Sequence, residues 1–137
     1  MQEMTSTHEK VGSAPEGKYA QHTPYSAARD IESALAVLEG RWKMLILCRL
    51  FATPVLRFSE LERAIPAVSQ KMLTQQLREL EKDCVVCRTV FPEVPPRVEY
   101  SLTPLGQALC PALDAVLKWE DLRRATQPDA ARRERQK

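Results

Sequence analysis

The 137-residue sequence has little of what an enzyme active site usually requires. It holds two histidines and four glycines, and it has no glycine-rich loop of the kind that binds phosphate. No histidine or serine stands in a nucleophile–base arrangement, and the acidic residues lack the context of a pocket. We therefore expect a protein that is not an enzyme and that uses no cofactor.

Long apolar runs are also missing. No run approaches the ~18 residues that span a bilayer, and residues 1–26 lack the apolar segment of a signal peptide. We expect a cytoplasmic protein that does not bind membranes. Thiols in that compartment are normally reduced, so the four cysteines are interpreted as packing residues or reactive thiols rather than as a disulfide framework.

Charge is nearly balanced over the whole chain. A formal net charge of +2 neither requires nor excludes a nucleic-acid partner. Basic residues are concentrated in residues 123–137, although such runs are usually solvated ends. We divide the chain into a mobile N-terminal arm (1–26) without hydrophobic periodicity, a folded domain (27–122) and this basic C-terminal tail (123–137).

Hydrophobic periodicity predicts two helices at the start of the domain. The first covers about residues 28–39, with Gly40 following it as a stop signal. The second begins at Arg41 and ends at Thr53-Pro54, because the residue before proline is pushed away from helical angles. Its apolar character suggests burial on most sides, so Cys48 is expected to be a small core residue.

A helix-turn-helix unit is predicted next. An extended piece at residues 56–58 precedes a short helix, which a capping box of Ser59 and Glu62 opens and Pro66 closes. Ser69 then caps a helix over residues 69–82, whose leucines recur at i, i+4 and i+7. Two helices joined by so short a connection form a helix-turn-helix.

Beyond Asp83 the period changes from 3.6 to 2. Residues 85–91 and 97–102 alternate as the strands of a hairpin, and the proline-containing segment 92–97 forms its wing. Thr103 and Pro104 provide the cap and first residue of a last helix. The predicted fold class is mainly α with a small β-hairpin, a winged helix-turn-helix with an extra helix at each end.

The polar face of helix 69–82 has the side chains that a DNA-recognition helix requires. Gln bonds bidentately to adenine and Arg to guanine, while a helix N-terminus binds phosphate through free N–H groups. An ordinary solvated face is the alternative. The candidate DNA-binding residues are Ser69, Gln70, Lys71, Thr74, Gln75 and Arg78 on this helix, Arg97 at the wing, and Arg57 and Lys43 as further backbone contacts.

Several segments resemble the HxlR-type family of winged helix-turn-helix transcription regulators, which have a MarR-like fold. They are EGRWKMLIL (39–47), LRFSEL (56–61), IPAVSQKMLTQQLREL (65–80), VPPRVEY (94–100) and LTPLG (102–106). The resemblance implies a homodimer, more often a repressor, on a pseudo-palindromic double-stranded DNA operator. It assigns the dimer interface to the first and last helices, and our candidates there are Leu35, Leu38, Leu109, Leu113, Val116 and Trp119, which could equally cover the monomer's own core.

The cysteines depart from the family pattern. Many HxlR-type proteins have a cysteine ahead of the first helix, where this chain has Arg29. Cys84 replaces a glycine that would supply a left-handed helix cap. Cys84 and Cys87 form a Cys-x-x-Cys, yet no second pair accompanies it, and His8 and His22 lie in the arm, so we expect no metal.

Three hypotheses therefore remain open. The first is a sequence-specific DNA-binding regulator. The second is a regulator that senses oxidants or electrophiles through Cys84, Cys87 or Cys110; plain packing is the alternative for these thiols, and an unknown small-molecule effector is another route to regulation. The third is a winged-helix interaction module without a DNA role.

Overall fold

The structure, a computed structural model, describes residues 22–127. In order along the chain these residues form α1 (Pro24–Val37), α2 (Arg41–Ala52), β1 (Val55–Arg57), α3 (Phe58–Ala64), α4 (Gln70–Lys82), β2 (Val86–Phe91), β3 (Arg97–Leu102), α5 (Pro104–Gln107) and α6 (Leu109–Ala125). The chain divides between Glu39 and Gly40 into two compact units, of which the first contains α1 and the second all the other elements. The predicted winged helix-turn-helix is confirmed.

Helix α1 begins at Pro24, inside the predicted arm, rather than near residue 28. Thr23 and Ser26 explain the earlier start, because the Thr23 hydroxyl accepts from the Ser26 N–H at 3.0 Å and the Ser26 hydroxyl accepts from the Thr23 N–H at 2.9 Å. This reciprocal capping box satisfies two helix-end donors without an apolar residue. Residues 1–21 of the predicted arm lie outside the described residues, as do residues 128–137 of the basic tail.

The core of the second unit lies between α2, α3, α4 and the sheet. Its fully buried side chains are Ile46, Leu47, Leu50, Leu61, Leu73, Leu77, Leu80 and Val86. Helix α2 buries only one face, at positions i, i+3, i+4 and i+7 from Lys43. Cys48 lies off that face and is exposed, so its prediction as a core residue is wrong. Apolar composition overstated how many sides of α2 are covered.

The three strands form an antiparallel sheet in the order β1-β3-β2. Val86 lies opposite Leu102 and Phe91 opposite Arg97, which closes the predicted hairpin, while Leu56 of β1 pairs with Tyr100 on the other edge of β3. The short extended piece predicted before α3 is thus β1, the third member of this sheet. Its pairing with β3 fixes where the helix-turn-helix begins relative to the wing.

Helix α3 begins one residue before the predicted cap. The Glu60 carboxylate accepts from the backbone N–H of Arg57 at 2.7 Å, so the predicted pair of Ser59 and Glu62 does not cap this helix. Arg49 of α2 donates to the Ala64 carbonyl at 3.2 Å. That contact satisfies a carbonyl at the other end of α3 and ties the helix to α2.

The turn after α4 keeps a left-handed residue although it has no glycine. Cys84 has φ +63°, and the Val85 N–H donates to the Leu80 carbonyl at 2.9 Å, as in a Schellman cap. The Thr103 hydroxyl donates to the Cys84 carbonyl at 2.6 Å and accepts from the Gly106 N–H at 3.0 Å. One side chain therefore joins the end of α4 to the start of α5.

Candidate nucleic-acid interface

Helix α4 is oriented by its apolar stripe. The Ser69 hydroxyl accepts from the Met72 N–H at 3.0 Å, which caps the helix as predicted. Leu73, Leu77 and Leu80 are buried in the core. Because three successive turns are anchored on one side, the opposite side of the helix is held in a fixed position facing solvent.

The outward side of α4 forms an open depression, which we call the recognition face. Its lining consists of Gln70, Lys71, Thr74, Gln75 and Arg78. The Thr74 hydroxyl donates to the Gln70 carbonyl at 2.9 Å, so it uses its proton within the helix and offers outward only lone pairs and a methyl group. The structure thus brings together the predicted residues of this helix except Ser69, which caps its N-terminus.

Lys43 has a different position from the one predicted. Its side chain is buried, with 7% of the residue exposed, and its ammonium lies 2.6 Å from the carboxylate of Glu79 on α4. The hydrogen bond from Lys43 is the main reason that the pKa of Glu79 is held below its ordinary value. Lys43 is therefore a structural partner of α4, and its prediction as a backbone contact to DNA is corrected because its charge is already paired.

Arg97, the predicted DNA contact at the wing, also already has partners within the protein. Its guanidinium lies 4.1 Å from the centroid of the Phe91 ring, 3.1 Å from Glu93 and 3.6 Å from Glu99, and its side chain is 29% exposed. A cation shared by two carboxylates and an aromatic face stabilises the base of the wing. Arg57 is exposed and lines an open depression between the start of α3 and the wing.

Arg88 of β2 is a cation that sequence reasoning missed. It is exposed, and it lines a depression between α4 and the sheet together with Thr74, Arg78 and Glu81. Among residues 22–127 no partner is assigned to it by a hydrogen bond or ion pair. The period-2 pattern could have found it, because Arg88 lies two residues after the buried Val86 and therefore on the face of β2 that is turned towards α4.

The cysteines all lie at the surface. Cys48, Cys84, Cys87 and Cys110 are free and exposed. Plain packing, the alternative to a reactive thiol, therefore does not describe Cys87, because Val86 occupies the buried side of the strand. Over the described part of the chain, no group of three or more His, Cys, Asp or Glu is placed to hold a metal ion.

Helices α1 and α6 expose apolar side chains. Neither helix contains a buried residue, although Leu38, Leu109 and Leu113 among the predicted interface residues are partly covered. In α6, Trp119 is 61% exposed and Leu122 is 66% exposed. Near its end, hydrogen bonds from Arg123 and Arg124 lower the pKa of Glu120 to about 2. Among the helices of residues 22–127, none has the length and apolar content of a membrane span.

Comparison with known proteins identifies close similarities. The profile of a family described as HxlR-like helix-turn-helix matches residues 37–127. An HTH-type transcriptional regulator of Methanothermobacter thermautotrophicus is 51% identical over 89 residues, which are 65% of this chain and 67% of that protein. A structure from Enterococcus faecalis V583, assigned to the MarR family of transcriptional regulators, superposes with a TM-score of 0.69 at 39% identity, covering 77% of this chain and 93% of the other. The redox regulator HypR in its reduced form gives a TM-score of 0.64 at 41% identity, over 69% of this chain and 93% of HypR.

Proposed function

The chain belongs to the HxlR-like helix-turn-helix family of transcriptional regulators, and on that premise we propose that it represses transcription as a homodimer bound to a pseudo-palindromic DNA operator. The family is one of regulators rather than enzymes. The observation that carries the proposal is the recognition face, on which five polar side chains stand opposite three buried leucines. The resemblance to HxlR-type proteins supports repression as the outcome of binding.

We assign the recognition face to the major groove, which admits an α-helix. Arg78 has the fork geometry that bonds two acceptors of guanine, and Gln75 can bond the edge of adenine. The outward methyl of Thr74 suits the thymine methyl. The Ser69 hydroxyl can still donate its proton to a phosphate at the helix N-terminus. Gln70 and Lys71 lie beside this phosphate position.

The hairpin and wing 92–97 would contact the backbone and the minor groove. Arg88 is better placed for a phosphate than Arg97, because Arg97 would first have to leave Glu93. Val94 at the tip is fully exposed, and an apolar tip is compatible with a shallow minor-groove contact. Arg57, across the depression from the wing, supplies a further cation for the same strand.

The homodimer would bury the apolar faces of α1 and α6. Leu35 and Leu38 of the first unit, and Leu109, Leu113, Val116 and Trp119 of α6, are the proposed contacts, to which the exposure of Leu117 and Leu122 adds two more. Large exposed apolar side chains clustered on one helix are typical of a protein interface. Two-fold pairing would present two recognition faces to consecutive major grooves.

Selection of bound sequences from a random duplex pool tests the proposal. We expect an inverted repeat whose half-sites are centred about 10–10.5 base pairs apart, with affinity that falls steeply as salt rises because phosphate contacts release counterions. Enrichment of no motif, together with salt-independent retention, would contradict DNA recognition and favour a protein-interaction module.

A thiol-sensing regulator is the second candidate. The observation that favours it is that Cys84 and Cys87 are both exposed. Cys84, with a φ of +63°, lies at the end of the recognition helix, three residues before Cys87. Diamide would take two electrons and two protons from a pair of thiols to give a disulfide. The role is supported if diamide changes the operator affinity of wild type but not that of the Cys84→Ser, Cys87→Ser double variant. Unchanged affinity of wild type after diamide would contradict it.

A further inference from the structure

A chain of polar contacts runs from the core to the recognition face. Lys43 of α2 donates to Glu79 Oε1 at 2.6 Å. The other oxygen of the same carboxylate, Oε2, accepts from the side-chain Nε2 of Gln75 at 3.4 Å. Gln75 belongs to the recognition face, whereas Lys43 is 7% exposed. The chain therefore connects a buried cation to a side chain proposed to contact a base.

The chemistry of this chain fixes the orientation of the Gln75 amide. An ammonium group only donates hydrogen bonds, and a carboxylate only accepts them. The hydrogen bond from Lys43 favours the ionised form of the Glu79 carboxylate and lowers its pKa. An ionised Glu79 can hold only the NH2 end of Gln75, since the carbonyl oxygen would meet it as a second acceptor. The Oε1 atom of Gln75 is thus turned away from Glu79 and towards the open depression.

We propose that the Lys43–Glu79 pair is a specificity-determining device that sets which atom of the Gln75 amide meets the DNA base. This rests on the proposed function of α4 as the recognition helix. With Oε1 outward, Gln75 accepts from an exocyclic amino group. In the major groove adenine N6 and cytosine N4 carry such groups, whereas guanine O6 and thymine O4 are acceptors.

The substitution Glu79→Gln should reverse the amide. Lys43 still requires an acceptor because it is buried, so the carbonyl oxygen of the introduced amide takes the place of Oε1. The NH2 group of that amide then faces Gln75, which turns its own Oε1 inward and presents Nε2 to the base. The preferred base at the position read by Gln75 changes from one with an amino group to one with a carbonyl acceptor.

The experiment is selection from a random duplex pool with wild type and with Glu79→Gln in parallel. We expect wild type to prefer adenine or cytosine at the position that loses its preference in Gln75→Ala, and Glu79→Gln to prefer guanine or thymine at the same position. The control Glu39→Gln makes the same charge change at an exposed residue between α1 and α2, and we expect it to select the wild-type motif.

The outcomes separate the inference from the function on which it rests. A wild-type motif that Glu79→Gln leaves unchanged overturns the amide orientation and leaves DNA recognition by α4 intact. Absence of any wild-type motif overturns both. If Glu79→Gln does not fold, the side-chain amide NMR signals of Gln75 in wild type decide: they should shift as Glu79 is protonated, with a midpoint below pH 4.5, and signals that do not follow this titration overturn the inference.

Discussion

Lys43 Nζ lies 2.6 Å from Glu79 Oε1, and this ion pair joins α2 to the recognition helix. The Lys43 side chain is 9% exposed, while that of Glu79 is 42% exposed. A cation so deeply placed cannot regain water if its partner is lost, so the pair holds the two helices in one arrangement. The position of the recognition face therefore depends on a residue that does not belong to it.

Replacing Glu79 tests the structural role of the pair. We expect Glu79→Ala to lower Tm by several degrees at neutral pH, because Lys43, whose side chain is 9% exposed, is left in a buried position without its carboxylate partner. The difference from wild type should shrink as pH falls below 4.5, since the lowered pKa of Glu79 makes the pair stabilising above its unfolded pKa and ineffective once the carboxylate is protonated. Thermal melts followed by circular dichroism from pH 7 to pH 3 measure both effects.

The matched control is Asp114→Ala on α6. Asp114 also pairs with a lysine, Lys118 at 3.3 Å, but the Lys118 side chain is 77% exposed. Exposed pairs of this kind contribute little, so its Tm should match wild type throughout. Equal melting of Glu79→Ala and Asp114→Ala would show that the buried pair does not hold α4.

Gly106 should tolerate no larger residue. A Cβ there would lie 2.2 Å from the carbonyl oxygen of Val85, and that oxygen also accepts from the Thr103 N–H at 3.1 Å. Gly106→Ala must therefore move the backbone that joins α4 to α5, and we expect a loss of about 1–3 kcal/mol in the free energy of unfolding. Chemical denaturation measures it. Gln107→Ala, at the exposed neighbouring position, should be close to wild type; similar losses in both variants would contradict the packing argument.

The apolar face of α6 should control oligomeric state. Trp119→Ala combined with Leu122→Ala removes two large exposed side chains, and loss of a central aromatic contact typically costs at least ~2 kcal/mol of association. We expect the dimer dissociation constant to rise by more than ~10-fold, as measured by analytical ultracentrifugation. Lys118→Ala on the same helix should leave it unchanged. A double variant that dimerises like wild type would exclude α6 from the interface.

The sequence was sufficient where the signals are local. Ser69 and the leucine spacing predicted both the start of α4 and its buried side, because a cap and a 3.6-residue period are properties of neighbouring positions. Alternation predicted the hairpin in the same way. The start of α1 was misplaced because Thr23 and Ser26 define it through hydrogen bonds, ahead of the first apolar residue of the period.

Contacts between helices and strands could not be predicted from the sequence. Nothing near Lys43 shows that a carboxylate from α4 reaches it, so an exposed phosphate contact was predicted for a buried residue. The assignment of Cys48 to the core failed for a related reason, since α2 is apolar on several sides and only packing decides which side is covered. Arg97 differs, because Glu93 and Glu99 are close in sequence and its pairing could have been anticipated.

The ratio of affinities for the selected operator and a scrambled duplex tests most directly whether α4 recognises DNA. Measured by fluorescence anisotropy at one fixed salt concentration, this ratio should fall roughly 5- to 150-fold in Arg78→Ala, which corresponds to a loss of about 1–3 kcal/mol in the free energy of discrimination. The loss should be confined to one base position per half-site. Lys118→Ala, which also removes one positive charge, should keep the wild-type ratio. An Arg78→Ala variant that discriminates between the two duplexes as well as wild type does would contradict the account.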